Sequence, residues 1–281
     1  MEILGTPVWL LLLVVLAGAF AQLIDGAVGM GFGALSATIM VALGVNPAVA
    51  VGTVVLTKVG SGVASAASHW GFGNVNTRWL VPLAISGIIG GGIGGFLLTT
   101  LPGQIAQIWV PVLLLLMGLL ILNRSGGILT SSIQGGSDNL IESGPGNLAT
   151  NAKRVYRRIP VAFRMSILGT MAGSLNGLSG AYGPLATPAI MLAEDGHPRY
   201  AIGTVNVAEF FVSIAVSATI VLQLGGSSFQ WEYPGALIVG SVMTAPLGAY
   251  LARKLPKRVI GVTVGVALIA LNSWVLMRAL L

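Results

Sequence analysis

The chain is poor in the groups that most protein chemistry uses. It has no cysteine, two histidines and eight acidic residues among 281. Without cysteine there are no disulfides, thiolate metal sites or cysteine nucleophiles. The two histidines, His69 and His197, lie far apart in the sequence, which argues against a metal site. No metal or other cofactor is expected, and no Walker motif is present to bind ATP. Charged residues make up only 8%, against roughly 25% in a soluble domain. Water is therefore not the main solvent of this surface.

Apolar residues reach 55% and the mean hydropathy is +0.90. The apolar runs are continuous and do not alternate, which excludes a membrane β-barrel and predicts an all-α polytopic membrane protein. The net charge of +6 is no sign of nucleic-acid binding. Much of it sits in two clusters, Lys153-Arg154 with Arg157-Arg158, and Arg253-Lys254 with Lys257-Arg258. Such clusters flank membrane spans on the cytoplasmic side. Residues 8–24 have no basic region before them and are followed at once by further apolar runs, so they are expected to be a first helix and not a signal peptide.

Ten apolar segments are expected, five in each half: 7–24, 32–43, 47–69, 78–100 and 103–122, then 160–176, 182–193, 199–222, 232–251 and 257–280. Two of them, 32–43 and 182–193, are too short for a bilayer that needs roughly 20 helical residues. Between the halves, 123–159 is rich in Gly, Ser and Asn and carries five of the fourteen basic residues. It reads as a cytoplasmic linker. The chain thus divides into a first repeat over 1–122, a linker over 123–159 and a second repeat over 160–281.

The halves are related. Asp25-Gly-Ala-Val-Gly29 is answered 151 residues later by Asn176-Gly-Leu-Ser-Gly180. The same offset takes Pro47 to Pro198, Ala50 to Ala201 and Gly52-Thr53-Val54 to Gly203-Thr204-Val205. An offset of 154 then takes Leu83 to Leu237 and Leu101-Pro102 to Leu255-Pro256. If both basic clusters are cytoplasmic, four segments separate them and each half holds an odd number. The halves then insert in opposite senses with both termini outside, an inverted repeat; Arg278 on the outer side is the one charge against this orientation.

The glycine-rich run from Asp25 to Gly33 cannot hold a continuous helix well, since each glycine costs about 1 kcal/mol against alanine. Unwound backbone at membrane depth is tolerated only where it faces protein or a water-filled cavity. A helix restarting near Phe32 or Gly33 turns free N–H groups and the positive end of its dipole toward that cavity, which favours an anion. The second half repeats the device around Gly177 to Gly183. Paired breaks in related halves are the mark of a transporter with a central site. Helix packing through small residues is the plainer alternative.

The backbone groups expected at the site are those of Gly29, Gly31, Gly33, Gly180 and Gly183. Lys58 stands near the middle of its segment, with Ser61 and Ser65 on the same face. Glu209 occupies the equivalent position of the second half, with Asn206 and Ser213 beside it. Charges at that depth are paired or functional. Two readings stand: Lys58 and Glu209 neutralise each other, or Lys58 faces an anion while Glu209 or Asp25 carries a proton or balances charge. Arg164 is a further ionisable residue near a helix start. The hydroxyls of Thr53 and Thr204 repeat in register and could bond an oxyanion or their own helix. Asn176, Ser179 and Tyr182 are candidates of the same kind. Gly177-Leu-Ser-Gly180 matches the G-x-S-G pattern of rhomboid-type serine proteases, but Ser179 needs a histidine base on a neighbouring helix, and Val28 replaces it in the other half. No enzyme is expected.

The chain resembles the TauE/SafE, or sulfite exporter, family of membrane transporters. The likeness rests on the glycine-rich break, Gly44-Val-Asn-Pro47, Ala50-Val-Gly-Thr53, His69-Trp-Gly-Phe-Gly-Asn-Val75 and the glycines from Gly87 to Gly95. It spans nearly all of the chain outside the linker. The resemblance implies polytopic transport of small, often sulfur-containing anions such as sulfite or organosulfonates, in a prokaryotic inner membrane. The expected function is a secondary transporter working by alternating access, with an anion channel of the same fold as the rival reading. The expected partners are the bilayer, a small anion and, as an open option, a second copy of the chain.

Overall fold

The computed structural model describes residues 2–3, 6–28, 31–126, 159–193, 198–226, 229–254 and 257–281. Most of the expected linker, 127–158, and Gly29 and His197 lie outside the described residues. Two short strands, β1 (Glu2–Ile3) and β2 (Thr6–Pro7), pair antiparallel at the start. Ten helices follow among the described residues. They are α1 (Val8–Val28), α2 (Phe32–Ala42), α3 (Pro47–Gly71), α4 (Thr77–Thr100) and α5 (Gly103–Gly126), then α6 (Val161–Ser179), α7 (Gly183–Ala193), α8 (Pro198–Leu224), α9 (Glu232–Lys254) and α10 (Lys257–Leu280).

The sequence offset returns as an offset of elements. Adding 151 to the bounds of α2 gives those of α7, and adding it to the start of α3 gives the start of α8. Adding 154 to the bounds of α5 gives those of α10. The joints explain the agreement. Asn46 caps α3 through a hydrogen bond from the Ala48 N–H, and Pro47 takes the first turn, where its missing N–H costs nothing. Asn76 caps α4 in the same way through the Arg78 N–H.

Among the described residues, six helices (α1, α3, α4, α5, α8 and α10) contain stretches long and apolar enough to cross a membrane. At 11 residues each, α2 and α7 run only about 16 Å, roughly half the thickness of a hydrocarbon core. The protein is thus an all-α multi-pass membrane protein with two half-length helices.

The halves interlock. Helix α1 packs along α9, and its counterpart α6 packs along α4, the counterpart of α9. Helix α3 packs on α8, and α5 on α10, each against its own equivalent. Each half therefore lends its first helix to the other.

The α4–α6 contact shows how helices associate where lipid is as apolar as leucine. One face of α4 exposes Val81, Ile85, Ile89, Ile93 and Phe96, as a lipid-facing surface requires. The opposite face carries Gly87, Gly91, Gly94 and Gly95, all buried. It meets Gly169, Gly173 and Gly177 of α6, also buried. With no hydrophobic gain available between helices in lipid, close backbone approach through small residues provides the attraction. At Gly177 a Cβ would collide with the Gly91 carbonyl oxygen and the Gly95 nitrogen, both backbone atoms that cannot rotate away.

Gly177→Ala is therefore expected to lower thermal stability in detergent by more than about 2 kcal/mol, above the middle of the usual range for overpacking. Gly92→Ala is the control, because its added methyl meets only Thr219 Oγ1 at 3.8 Å. A Gly177→Ala protein that melts with wild type would show that this contact is looser than described.

Candidate functional site

The two breaks meet. Helix α1 ends at Val28, and the chain restarts through Gly31, whose φ of 142° is open only to glycine. Helix α6 ends at Ser179 with Gly180 in the left-handed conformation (φ 74°), its N–H donating to the Asn176 carbonyl. The first turn of α2 lies on the second break. A Cβ at Gly33 would run into the Gly180 carbonyl oxygen and stand 3.2 Å from Lys58 Nζ. Only a glycine at 33 lets one break rest on the other with the ammonium beside both.

A cavity of about 140 Å³ opens next to this contact. Helix α1 contributes Gln22 and Asp25, and the start of α2 contributes Gly31 and Phe32. Helix α3 contributes Lys58, Ser61, Gly62 and Ser65. Gly183 comes from the start of α7, and Asn206, Glu209, Phe210 and Ser213 from α8. At about 30 Å³ per water, that volume holds four or five waters or one small polyatomic ion. Both half-helices begin at its wall, so both positive dipole ends face it.

Lys58 and Glu209 form an ion pair across the cavity, donating from Nζ to Oε1. The two residues are 151 apart, the offset that relates the halves. Their side chains are only 15% and 14% exposed. In surroundings this dry, removing one partner of such a pair costs several kcal/mol, while replacing both costs far less. Asp25 does different work. Its Oδ1 accepts a hydrogen bond from the Phe32 N–H at 3.1 Å, so a carboxylate already caps the start of α2. One of the N–H groups expected to be free at that helix start, that of Phe32, is thus taken by a side chain. In the second half, Asn176 stands at the equivalent position. It is fully buried, with no hydrogen-bond partner for either side-chain polar atom.

Of the residues expected at the site, Asp25, Gly31, Lys58, Gly183, Asn206 and Glu209 line the cavity. Gly33 and Gly180 form the contact beside it. Thr53, Asn176, Ser179, Tyr182 and Thr204 are all fully buried but outside the cavity wall. Thr204 Oγ1 accepts the Asn76 N–H at 2.9 Å and so fixes the approach to α4. Ser179 Oγ donates to the Leu175 carbonyl of its own helix at 2.8 Å. Tyr182 and Thr53 leave their hydroxyls without partners. The identical register of Thr53 and Thr204 thus does not give them matching contacts.

Four wall residues were not expected from the sequence: Gln22, Phe32, Gly62 and Phe210. Gln22 could have been found, since it lies one turn before Asp25 on the same face. Ser213 is the most informative of the polar neighbours. It is fully buried, it lines the cavity, and its hydroxyl has no partner. An unmade hydrogen bond there costs about 1–3 kcal/mol, unless something in the cavity accepts or donates it. Among the described residues, no group of three or more His, Asp or Glu is placed to hold a metal ion.

Comparison with known proteins agrees with this architecture. The family profile for Sulfite exporter TauE/SafE matches residues 14–275. The chain is 33% identical over 258 residues to the probable membrane transporter protein YtnM of Bacillus subtilis (strain 168), covering 91% of this chain and 79% of that one. It is 23% identical over 268 residues to the probable membrane transporter protein YunE of the same organism, covering 92% and 95%. No solved structure matches. With the family profile covering nearly the whole membrane-embedded part and a relative this similar over nine-tenths of its length, the chain belongs to the sulfite exporter TauE/SafE family of membrane transporters.

Proposed function

We propose that the protein is a secondary transporter that carries one small oxyanion through the cavity between the two breaks. The observation that carries this reading is the convergence of two half-helix starts, the Lys58 ammonium and the unpartnered Ser213 hydroxyl on one cavity of about 140 Å³. Each of these groups offers positive charge or a hydrogen-bond donor, and the space suits one small ion. The family's name puts sulfite, and with it other small sulfur oxyanions, first among the candidates.

The charges of the wall set the coupling. Asp25 and Glu209 bring two carboxylates against the one ammonium of Lys58. A bare anion entering would meet net negative charge in a poorly solvated place, where repulsion is several-fold stronger than in water. A proton taken up on one carboxylate restores the balance. The reading is therefore anion movement with a proton, not passive conduction.

The exchange of helices between halves supports alternating access. A pattern in which α1 with α9 is mirrored by α6 with α4 is what a twofold axis produces. With the halves inserted in opposite senses, that axis lies in the membrane plane, and rocking about the central contact exposes the cavity to each side in turn.

A panel of sulfite, thiosulfate, sulfate, methanesulfonate and acetate, added to purified protein, is expected to contain at least one anion that raises the melting temperature. At 100 times its dissociation constant the stabilisation is about 2.7 kcal/mol. Flux of that anion into liposomes should saturate with concentration and be driven by a pH gradient across the membrane. Flux that stays proportional to concentration and ignores the gradient would point to a channel. Lys58→Met should abolish the ligand-induced shift and destabilise the protein by about 3–5 kcal/mol, and adding Glu209→Met should recover most of that stability but not the binding. Intact binding in the double variant would remove Lys58 from the site.

A further inference from the structure

The cavity already contains one anionic group at the place where an anion should bind. Asp25 Oδ1 sits on the Phe32 N–H at the start of α2. That N–H belongs to the first residue of the half-helix that begins at the cavity, and the Lys58 ammonium lies beside the same turn, near Gly33. Asp25 thus occupies a helix-start donor on the wall, with Lys58 among its neighbours. A substrate anion and Asp25 compete for the same donor.

We propose that Asp25 is the resident anion of the site. When substrate enters, Asp25 releases the Phe32 N–H to a substrate oxygen and takes up, from water, the proton that moves with the anion. The inference rests on the anion-transport reading and assigns its proton to one atom group. The balance closes: one carboxylate gains one proton and becomes a neutral carboxyl, and one substrate charge takes its place. The Ser213 hydroxyl, buried in the wall and without a partner, is then free to donate to the arriving oxyanion. Glu209 is less suited to the role, because it is held by Lys58 and losing its charge would strand a buried ammonium.

The second half shows why only one proton is needed. Asn176 takes the place of Asp25 before the start of α7 and carries no charge. Gly183, the first residue of α7, lines the cavity, and no side chain caps it with a negative group among the described hydrogen bonds. At α2 the first N–H is taken by Asp25, while at α7, where Pro184 has no N–H to give, that of Gly183 meets no acidic side chain among the described hydrogen bonds.

Among the residues whose side chains are described, few other charges bear on Asp25; Arg253 and Lys254 at the end of α9 and Lys257 and Arg258 at the start of α10 lie outside that set. Helix α2, which follows it, holds no titratable side chain. In the cavity the facing groups are Lys58 on α3 and Glu209 on α8. On α9, which packs along α1, Glu232 accepts from Thr6 at the opposite end of α1. On α10, Arg278 stacks on Trp274 beside the far end of α2.

Difference infrared spectra test the assignment. The probe is whichever panel anion (sulfite, thiosulfate, sulfate or methanesulfonate) raises the wild-type melting temperature most. Its addition to the wild-type protein should produce a new carboxyl C=O band, with uptake of about one proton per site measured by a pH dye. Asp25→Asn keeps an acceptor for the Phe32 N–H, so the fold is retained. In that variant the band and the proton uptake should vanish, and anion affinity should rise at least five-fold. Glu209→Gln should keep the band. A band that persists in Asp25→Asn, or is lost only in Glu209→Gln, would overturn the proposal while leaving the anion reading intact. A wild-type protein that no panel anion stabilises would sink that reading and this one together.

Discussion

The contact of one break with the other, Gly33 against the Gly180 carbonyl, is the constraint from which the rest follows. It brings the starts of α2 and α7 to one place, and it requires that neither break carry a side chain at the point of touch. Lys58 must then lie beside α2, because the ammonium stands next to Gly33. Its partner Glu209 follows from the same geometry, being the residue that the internal repeat places opposite. A larger residue at 33 would separate the breaks and break the cavity, the ion pair and the cap on α2 at once.

Holding that contact in a membrane is a separate problem. Lipid gives no hydrophobic drive for helices to associate, so the fold relies on backbone approach and on topology. The glycine faces of α4 and α6 supply the approach, and the exchange of α1 and α6 between the halves supplies the topology. Because each first helix is bound to the other half, neither half closes its own core. Polar groups are spent sparingly: Thr204 on the Asn76 N–H, and Asn272 on Thr38 in the buried α10–α2 contact.

Most of this architecture was legible in the sequence, and for a physical reason. A duplicated chain repeats its caps and breakers, and caps and breakers set helix bounds. Pro47 and Pro198 begin α3 and α8, and Gly33 and Pro184 follow the restarts of α2 and α7. The short runs near 32–43 and 182–193 became half-length helices as their length required. Lys58 and Glu209 were also readable, since a charge at membrane depth needs a partner and the offset named it. Side-chain environments were not readable in the same way. Thr53 and Thr204 repeat in register, yet only Thr204 meets the loop before α4, because the equivalent helix pair α3–α9 packs less closely than α8–α4. Asn176 and Tyr182 fell outside the cavity wall for a related reason. Spacing says which residues share a face of a helix, but not how far that face is turned from the shared space.

In the transport reading proposed above, the departure from symmetry at Asp25 and Asn176 is what would suit the duplicated fold to an anion. With aspartate at 176 as well, a further carboxylate would be buried behind the wall, adding negative charge near a cavity that already sets two carboxylates against one ammonium. With asparagine at both, Lys58 and Glu209 would cancel, and an anion would enter with nothing to take a proton except the ion pair itself. That pair cannot give up a charge without leaving the other partner buried and alone. One aspartate and one asparagine leave the structural pair undisturbed and place a single exchangeable charge on the donor that the substrate needs. The repeat thus supplies two equivalent helix starts, and one substitution between its copies separates the group that holds the fold from the group that can respond to the cargo.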